Sequence, residues 1–400
     1  MPVAVRHLSS PSAASTAVTA AATAIAVFFF FRRRNRSSTC ISSCFKFLSI
    51  ASSSYPSIPS PLEGIAAMDD HCGGSLLVLC GKSQQEEQFA RCILVKKDAL
   101  KILGEGEAQG EIKVFLQSDI GSVGSPTFRM ERYLDALKTD QFGRLLIWSP
   151  LLPSTHDVVS KNFGEFPIGT VCITDVQCKG RGRARNVWES PLGCLLFSFT
   201  LQMEDGRKVP LLQYVVSLAV TEAIKESCQA KGLPDIHVRI KWPNDLYLNG
   251  LKVGGVLCTS TYSSKNFNVC AGVGLNLDNE EPTTCLNVVL QELTSVSHQL
   301  GREEIIAAFF NNFEKLFRDF LSNGFQVLEE LYYKTWLHSE QKVVIEEQQE
   351  GQVENVPVTI KGLTSSGYLL AVDEENRRYE LHPNGNSFDF FKGLVRRKLD

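Results

Sequence analysis

Acidic residues are missing altogether from the first 62 positions of this 400-residue chain, where Arg6, Arg32, Arg33, Arg34, Arg36 and Lys46 lie among 14 serines. Beyond them 35 basic side chains face 44 acidic ones, so the remainder lacks the positive excess of a duplex-coating protein, whose affinity comes from neutralising phosphates. Absent too is any Cys-x-x-Cys pair. The 12 cysteines are scattered from Cys40 to Cys285, which argues against a zinc ribbon or a disulfide framework and leaves reduced thiols, several acting as small buried hydrophobes. With 44% apolar residues, a real core is available and global disorder is excluded.

The acid-free, Ser-rich, basic start has the composition of an organellar transit peptide covering 1–67. A membrane anchor is the competing reading, since Ala13 to Phe31 is free of charge and close to the roughly 20 residues a bilayer span needs; Ser15, Thr16, Thr19 and Thr23 weaken it. An unstructured leader is the third. Chloroplast and/or mitochondrion is the expected destination, with a cytosolic form if translation starts at Met68, and no stable membrane association in the mature form.

Residues 68–140 hold short apolar runs, Leu76–Leu79 and Val114–Leu116, that suggest a small α/β module of unknown role. From there the patterning sharpens into an α+β domain, 141–337. Leu145–Trp148 and Thr170–Thr174 read as buried strands. Pro210 can start a helix that Gly232 can end, and Arg302–Leu321 carries one apolar face of Ile305, Ile306, Phe309, Phe310, Phe313, Leu316, Phe317 and Phe320. A third helical stretch covers Gln326–Trp336. Beyond about His338 the period changes to short alternating segments, predicting a small β-barrel over 338–400.

Three stretches carry chemistry. In Gly180-Arg181-Gly182-Arg183-Ala184-Arg185-Asn186-Val187-Trp188, alternating glycines free backbone amides to turn toward an anion and three arginines offer forked donors for phosphate or carboxylate. It is neither a Walker A loop nor a dinucleotide turn; a nucleic-acid tract and a solvated turn are its alternatives. In Lys241-Trp242-Pro243-Asn244-Asp245, followed by Lys252 and Gly254-Gly255, two strand-like runs flank the turn pair Asn249-Gly250. That hairpin can put Asp245 and Lys252 at one site, with Asn244 suited to a purine edge and Asp245 to magnesium; a surface hairpin with ordinary charges is the bland reading. The third, Gly272-Val273-Gly274-Leu275-Asn276, is a glycine-punctuated strand and by itself weak evidence.

Together with Ser154-Thr155 and Gln177, these motifs occur in an order and spacing that resemble the biotin-protein ligase family, specifically the plant-type holocarboxylase synthetases, over roughly Trp148 to Leu399. The resemblance implies a mixed sheet flanked by helices, with an SH3-like C-terminal barrel. It implies an enzyme that activates biotin with MgATP to biotinyl-5′-adenylate and then transfers biotin to a lysine of apo-carboxyl-carrier domains, such as that of acetyl-CoA carboxylase. By family match, Thr155, Gln177 and Arg183 hold the polar atoms of biotin with Ser154 beside them, and Arg181, Gly254 and Gly255 line the same substrate. Lys252 contacts the biotin carboxylate and then the adenylate phosphate. Gly180, Arg181, Gly182, Arg185, Asn186, Lys241, Asn244 and Asn276 fall to ATP or the adenylate, Trp188 packs over it, and Asp245 serves magnesium or the incoming amine. Bacterial members continue the loop with further Gly and Arg where this chain has Ala184-Arg185-Asn186-Val187, so a phosphate contact there rests on Arg185. The N-terminal helix pair of the DNA-binding members is not evident in 1–140, so no nucleic-acid partner is expected. Rival readings are a lipoate- or octanoate-protein ligase of related fold, a nucleic-acid-binding module built on the arginine loop, and a catalytically dead homologue.

Overall fold

The computed structural model describes residues 74–102, 111–122, 126–294, 299–349, 352–383, 386–389 and 394–397, all within one compact unit, Met68–Asp400. The expected leader over 1–67 and the start at Met68 lie outside the described residues. Among the described residues no helix is long and apolar enough to cross a membrane.

Nine strands form one mixed sheet: β1 (Gly74–Gly81), β2 (Glu111–Leu116), β3 (Leu145–Leu152), β4 (Val171–Gln177), β5 (Cys194–Met203), β6 (Arg239–Lys241), β7 (Asp245–Leu248), β8 (Leu251–Ser263) and β9 (Asn266–Asn276). Their spatial order is β2-β1-β3-β4-β5-β9-β8-β7-β6. β1 runs parallel to β2 and β3 to β4, and the other pairings are antiparallel. The helices are α1 (Gln84–Val95), α2 (Met130–Ala136), α3 (Thr155–Lys161), α4 (Leu212–Ala230), α5 (Leu286–Thr294), α6 (Arg302–Asn323) and α7 (Glu329–Thr335).

The central strands read as unbroken apolar runs because both faces of the sheet are covered. Strand pleating sends Val78, Leu146, Trp148, Val171 and Ile173 into the core under α4 and α6, and sends Leu77, Leu79, Leu145, Ile147 and Cys172 to the opposite core with α1 and α3. The phenylalanine stripe of α6 fills the first core. Phe309, Phe310 and Phe313 lie with ring centroids 5.0–5.7 Å from Phe199, and Phe313 and Phe317 pack edge-on to Phe142.

Residues 68–140, expected as a small module apart, contribute strands to this same sheet. β1 pairs with β3 from Val78–Trp148 to Gly81–Leu145. The connection is also pinned from α6: Glu314 accepts from the backbone N–H groups of Asp140, Gln141 and Phe142 at 2.9, 3.0 and 3.1 Å. Arg302 pairs with the buried Asp175 of β4 at 2.6 Å, and Thr127 donates to the same carboxylate.

Six strands make the second, C-terminal sheet: β10 (Lys342–Gln349), β11 (Gln352–Leu363), β12 (Leu369–Val372), β13 (Arg378–Leu381), β14 (Asn386–Asp389) and β15 (Leu394–Arg397), in the order β13-β12-β11-β10-β15-β14. It is antiparallel except for β10 with β15. Its Val343, Val358, Ile360, Leu369 and Ala371 join the first core beside Tyr332 and Trp336, and the Gly367 carbonyl accepts from Tyr214 Oη and Trp242 Nε1. The described cysteines are free, as expected, and Cys172, Cys194, Cys228, Cys270 and Cys285 are buried. Burial pushes the Cys194 thiol up to about 12.

Candidate functional site

A cleft of about 390 Å³ opens over the middle of β8 and β9, on the side of the sheet that carries α3. Its floor follows from the register. Gly255 of β8 stands opposite Gly274 of β9, so two neighbouring positions carry no side chain and the indole of Trp188 comes down onto them. A Cβ on Gly274 would sit 2.6 Å from Trp188 Nε1. The glycines of the third motif are thus a landing place for an aromatic ring.

The β7–β8 hairpin turns at Asn249 and Gly250 with φ of 50° and 80°, as the Asn-Gly pair predicts. The pairing shifts by one residue between Leu246–Gly254 and Tyr247–Lys252. Lys252 therefore shares a face with Asp245 across a position where Gly255 offers no side chain, and its Nζ lies 2.7 Å from Asp245 Oδ1. The same ammonium stands 5.4 Å from the centre of the Trp188 ring, a cation–π contact.

At the α3 end, Ser154 caps the helix, its Oγ accepting from the Asp157 N–H at 3.4 Å. Gln177 accepts from the Thr155 N–H at 2.8 Å and from its hydroxyl at 3.1 Å, and donates through Nε2 to Ser190 Oγ at 2.9 Å. Thr155 Oγ1 also meets Ser198 Oγ at 2.9 Å. The Gln177 amide and the three hydroxyls are held in one network, and the part of it that faces the cleft, Thr155, Gln177 and Ser198, is a preformed polar wall for a compact neutral ligand.

The arginine loop is ordered by its own backbone. Trp188 N–H donates to the Gly180 carbonyl at 3.0 Å and Gly182 N–H to that of Asn186 at 2.8 Å, while Ala184 takes the left-handed conformation at φ 50°. Arg183 donates through Nη1 to Asn244 Oδ1 at 3.0 Å and through Nη2 to the Pro383 carbonyl of the C-terminal sheet at 3.5 Å. Burial lowers its pKa, with Asp245 opposing; an arginine stays charged regardless. Arg181 instead grips Asp157, Nη2 to Oδ2 at 2.8 Å and Nε to Oδ1 at 2.5 Å.

Ser154, Thr155, Gln177, Arg181, Gly182, Arg183, Asn186, Trp188, Lys241, Asn244, Asp245, Lys252 and Gly255 all line the cleft. Three of the expected residues, Asn276, Gly254 and Gly180, stand apart. Asn276 is buried and its amide donates to Thr283 Oγ1 at 3.0 Å and the Thr284 carbonyl at 3.2 Å. Gly254 packs against the Gly274 carbonyl and Leu246, and Gly180 against the Trp188 carbonyl. Arg185 sits in the short 3₁₀ turn Arg183–Arg185. Asn244 lines the cleft with its amide engaged at both ends, Nδ2 donating to the Val256 carbonyl at 2.7 Å.

Sequence reasoning missed Asp157, His156, Ser190 and Ser198. His156 lines the cleft, and burial pulls its pKa from 6.5 to about 4. Its Nε2 lies 3.1 Å from Thr259 Oγ1. Cross-strand pairing delivers Ser198 opposite Gly272, a relation no local pattern announces.

Among the described residues the cleft walls hold four cations, Arg181, Arg183, Lys241 and Lys252, and a single carboxylate, Asp245. Such a site can draw in two anionic reactants and stabilise charge developing between them. Among the described residues no group of three His, Cys, Asp or Glu side chains could hold a metal ion. The donor set suits a magnesium delivered on nucleotide phosphates, which needs only one or two carboxylates, rather than a resident ion.

The profile of the biotin/lipoate A/B protein ligase family matches residues 148–276. The chain is 60% identical to biotin–protein ligase 1, chloroplastic, of Arabidopsis thaliana, over 84% of this chain and 90% of that protein. It is 59% identical to biotin–protein ligase 2 of the same plant, over 81% of this chain and 98% of that one. Among solved structures, a biotin protein ligase from Aquifex aeolicus in complex with biotin and ATP aligns over 63% of this chain and 99% of its own with a TM-score of 0.47 and 24% identity. The chain belongs to the biotin–protein ligase family.

Proposed function

We infer that the chain is a biotin–protein ligase: it condenses biotin with ATP to biotinyl-5′-adenylate, releasing pyrophosphate, and passes the biotinyl group to a lysine of an apo-carboxyl-carrier domain. The observation that carries this is the juxtaposition, among the described residues, of four cations and one carboxylate with the neutral, hydrogen-bonded wall of Thr155, Gln177 and Ser198, which Ser190 braces through Gln177. A carboxylate is a poor acyl donor and must first gain a good leaving group.

The neutral wall takes the uncharged ring system of biotin, and the acid tail runs toward Lys252. There the ammonium neutralises the carboxylate as it attacks the α-phosphorus, and pyrophosphate departs carrying the displaced electron pair. Lys252 is a clamp on charge rather than a nucleophile. Arg183 holds the loop against Asn244 and offers its charge to the phosphate, and Trp188 supplies a flat apolar face against the adenylate. Asp245 is the carboxylate that would hold a magnesium ion brought in with ATP, and the ion would offset charge on the phosphates. In the second half-reaction the neutral acceptor amine attacks the acyl carbon, the acyl–phosphate bond breaks so that AMP leaves with its electron pair, and the proton shed by the nitrogen passes to solvent. Asp245, fixed beside Lys252, orients that amine.

The carrier domains are those of biotin-dependent carboxylases, of the acetyl-CoA carboxylase kind. A chloroplast destination accords with the acid-free first 62 residues and with the chloroplastic designation of the Arabidopsis relative; residues 1–67 fused to a fluorescent protein should enter plastids, and mitochondrial or cytosolic fluorescence would redirect the assignment. For the chemistry, the purified full chain should exchange labelled pyrophosphate into ATP with biotin present and not with lipoate. A folded protein that exchanges with neither acid would sink the reading.

A further inference from the structure

The nucleotide side of the cleft is built on Lys241–Asp245, and its backbone is held from outside the central sheet. The linker after α7 runs alongside β6, with Ile240 bridged to Trp336 and Leu337 N–H donating to the Ile240 carbonyl at 2.9 Å. One residue further, His338 is fully buried, and its Nε2 lies 2.9 Å from the backbone nitrogen of Trp242. A peptide N–H can only donate, so Nε2 is the acceptor and the ring proton sits on Nδ1, where it donates to Gln341 Oε1 at 2.9 Å. Gln341 is itself part of the C-terminal sheet's framework, its carbonyl accepting from the Ile360 N–H of β11 at 2.9 Å. Burial keeps the imidazole neutral, as this role requires, and the nearby ammonium of Lys241 acts in the same direction.

Resting on the ligase reading above, we propose that His338 is a positioning residue for the nucleotide: it fixes the Trp242 N–H, and through it Asn244 and Asp245, in the geometry that receives ATP. The chain of contacts is continuous. Trp242 is held at its backbone by His338 and at its indole by Tyr214 at 2.9 Å. Two residues on, Asn244 is tied to Arg183 of the arginine loop and to the backbone of Val256. The hydrogen bond that His338 accepts from this segment comes from the Trp242 backbone, not from the side chains of Asn244 or Asp245. Its loss leaves a buried N–H without an acceptor, and the strain is relieved by movement of the segment that bears the nucleotide-facing side chains.

The test compares the full chain with His338→Leu and His338→Gln in biotin-dependent ATP–pyrophosphate exchange, with circular dichroism and thermal melts alongside. Glutamine places an amide oxygen near the position of Nε2, so it restores the acceptor; leucine does not. His338→Leu should raise KM for ATP about tenfold or more while KM for biotin moves less than about twofold, and His338→Gln should recover most of the ATP KM. Equal rises in both KM values, an unchanged ATP KM in His338→Leu, or failure of His338→Gln to improve on a His338→Leu chain that is folded would overturn the positioning role. Should the leucine variant fail to fold, an ATP KM in His338→Gln equal to that of His338→Ala under the same conditions would overturn it equally. Absence of exchange in the unmodified chain would instead strike the ligase reading on which the proposal stands.

Discussion

A single methyl group tests the floor of the cleft. Gly274→Ala would put its Cβ 2.6 Å from Trp188 Nε1, and the indole is the only side that can give, because Gly274 lies within the β8–β9 ladder. Biotin-dependent exchange should fall at least tenfold with the melting temperature nearly unchanged; parallel loss of both would mean that the glycine serves the sheet instead. Lys252→Ala should lower exchange by roughly 10²–10³, the usual cost of deleting a donor aimed at developing charge, and the side chain is 38% exposed, so little stability should go with it. Exchange at the original rate would remove Lys252 from the reaction. The residues of this floor and clamp were legible because glycines, a turn pair and charged side chains cluster within short stretches. Asn276 stood in the same motif yet turns away, since its place near the end of β9 puts its amide against Thr283 and Thr284.

Secondary elements were read closely where period and length agreed. The expected helix over Arg302–Leu321 is found as Arg302–Asn323, and the stretch from Pro210 to Gly232 yields a short 3₁₀ turn and then Leu212–Ala230. The stretch Gln326–Trp336 is split into a 3₁₀ turn at Phe325–Leu328 and α7. What could not be read was what α6 does with its polar side. Glu314, on the side away from the phenylalanine stripe that the periodicity picks out, is buried and gathers three backbone N–H groups. Glu314→Ala should therefore destabilise the unit by about 3 kcal/mol, since several buried donors lose their acceptor at once, while KM for biotin and ATP hold. Urea unfolding measures it, and a change under about 0.5 kcal/mol would show that the donors find water.

At the scale of the molecule, two neutral buried histidines shape the response to acid. His156 and His338 both have pKa values pulled by burial from 6.5 down to about 4. In the unfolded chain they gain protons below about 6.5, and in the native state only near 4, so stability falls as pH drops through that window by about 1.4 kcal/mol per unit for each. Urea midpoints measured from pH 7 to pH 5 should decline, and His338→Gln should make the decline shallower by about half. A flat profile would show that neither ring is held neutral. The acidic groups whose pKa values are lowered, Glu86 and Glu304 among them, contribute above their unfolded values near 4.5 and add to the loss only below that range.

The same scale explains the largest gap in the sequence reading. Pairing between β1 and β3 joins residues nearly seventy positions apart, and runs such as Leu76–Leu79 look alike whether they pair locally or complete a distant sheet. Once in place, β1 is an interior strand, hydrogen-bonded to β2 on one side and β3 on the other, with Leu77, Val78 and Leu79 buried. A chain that lost β1 would therefore forfeit pairings on two sides at once, and the bared edges of β2 and β3 would be open to pairing with other chains.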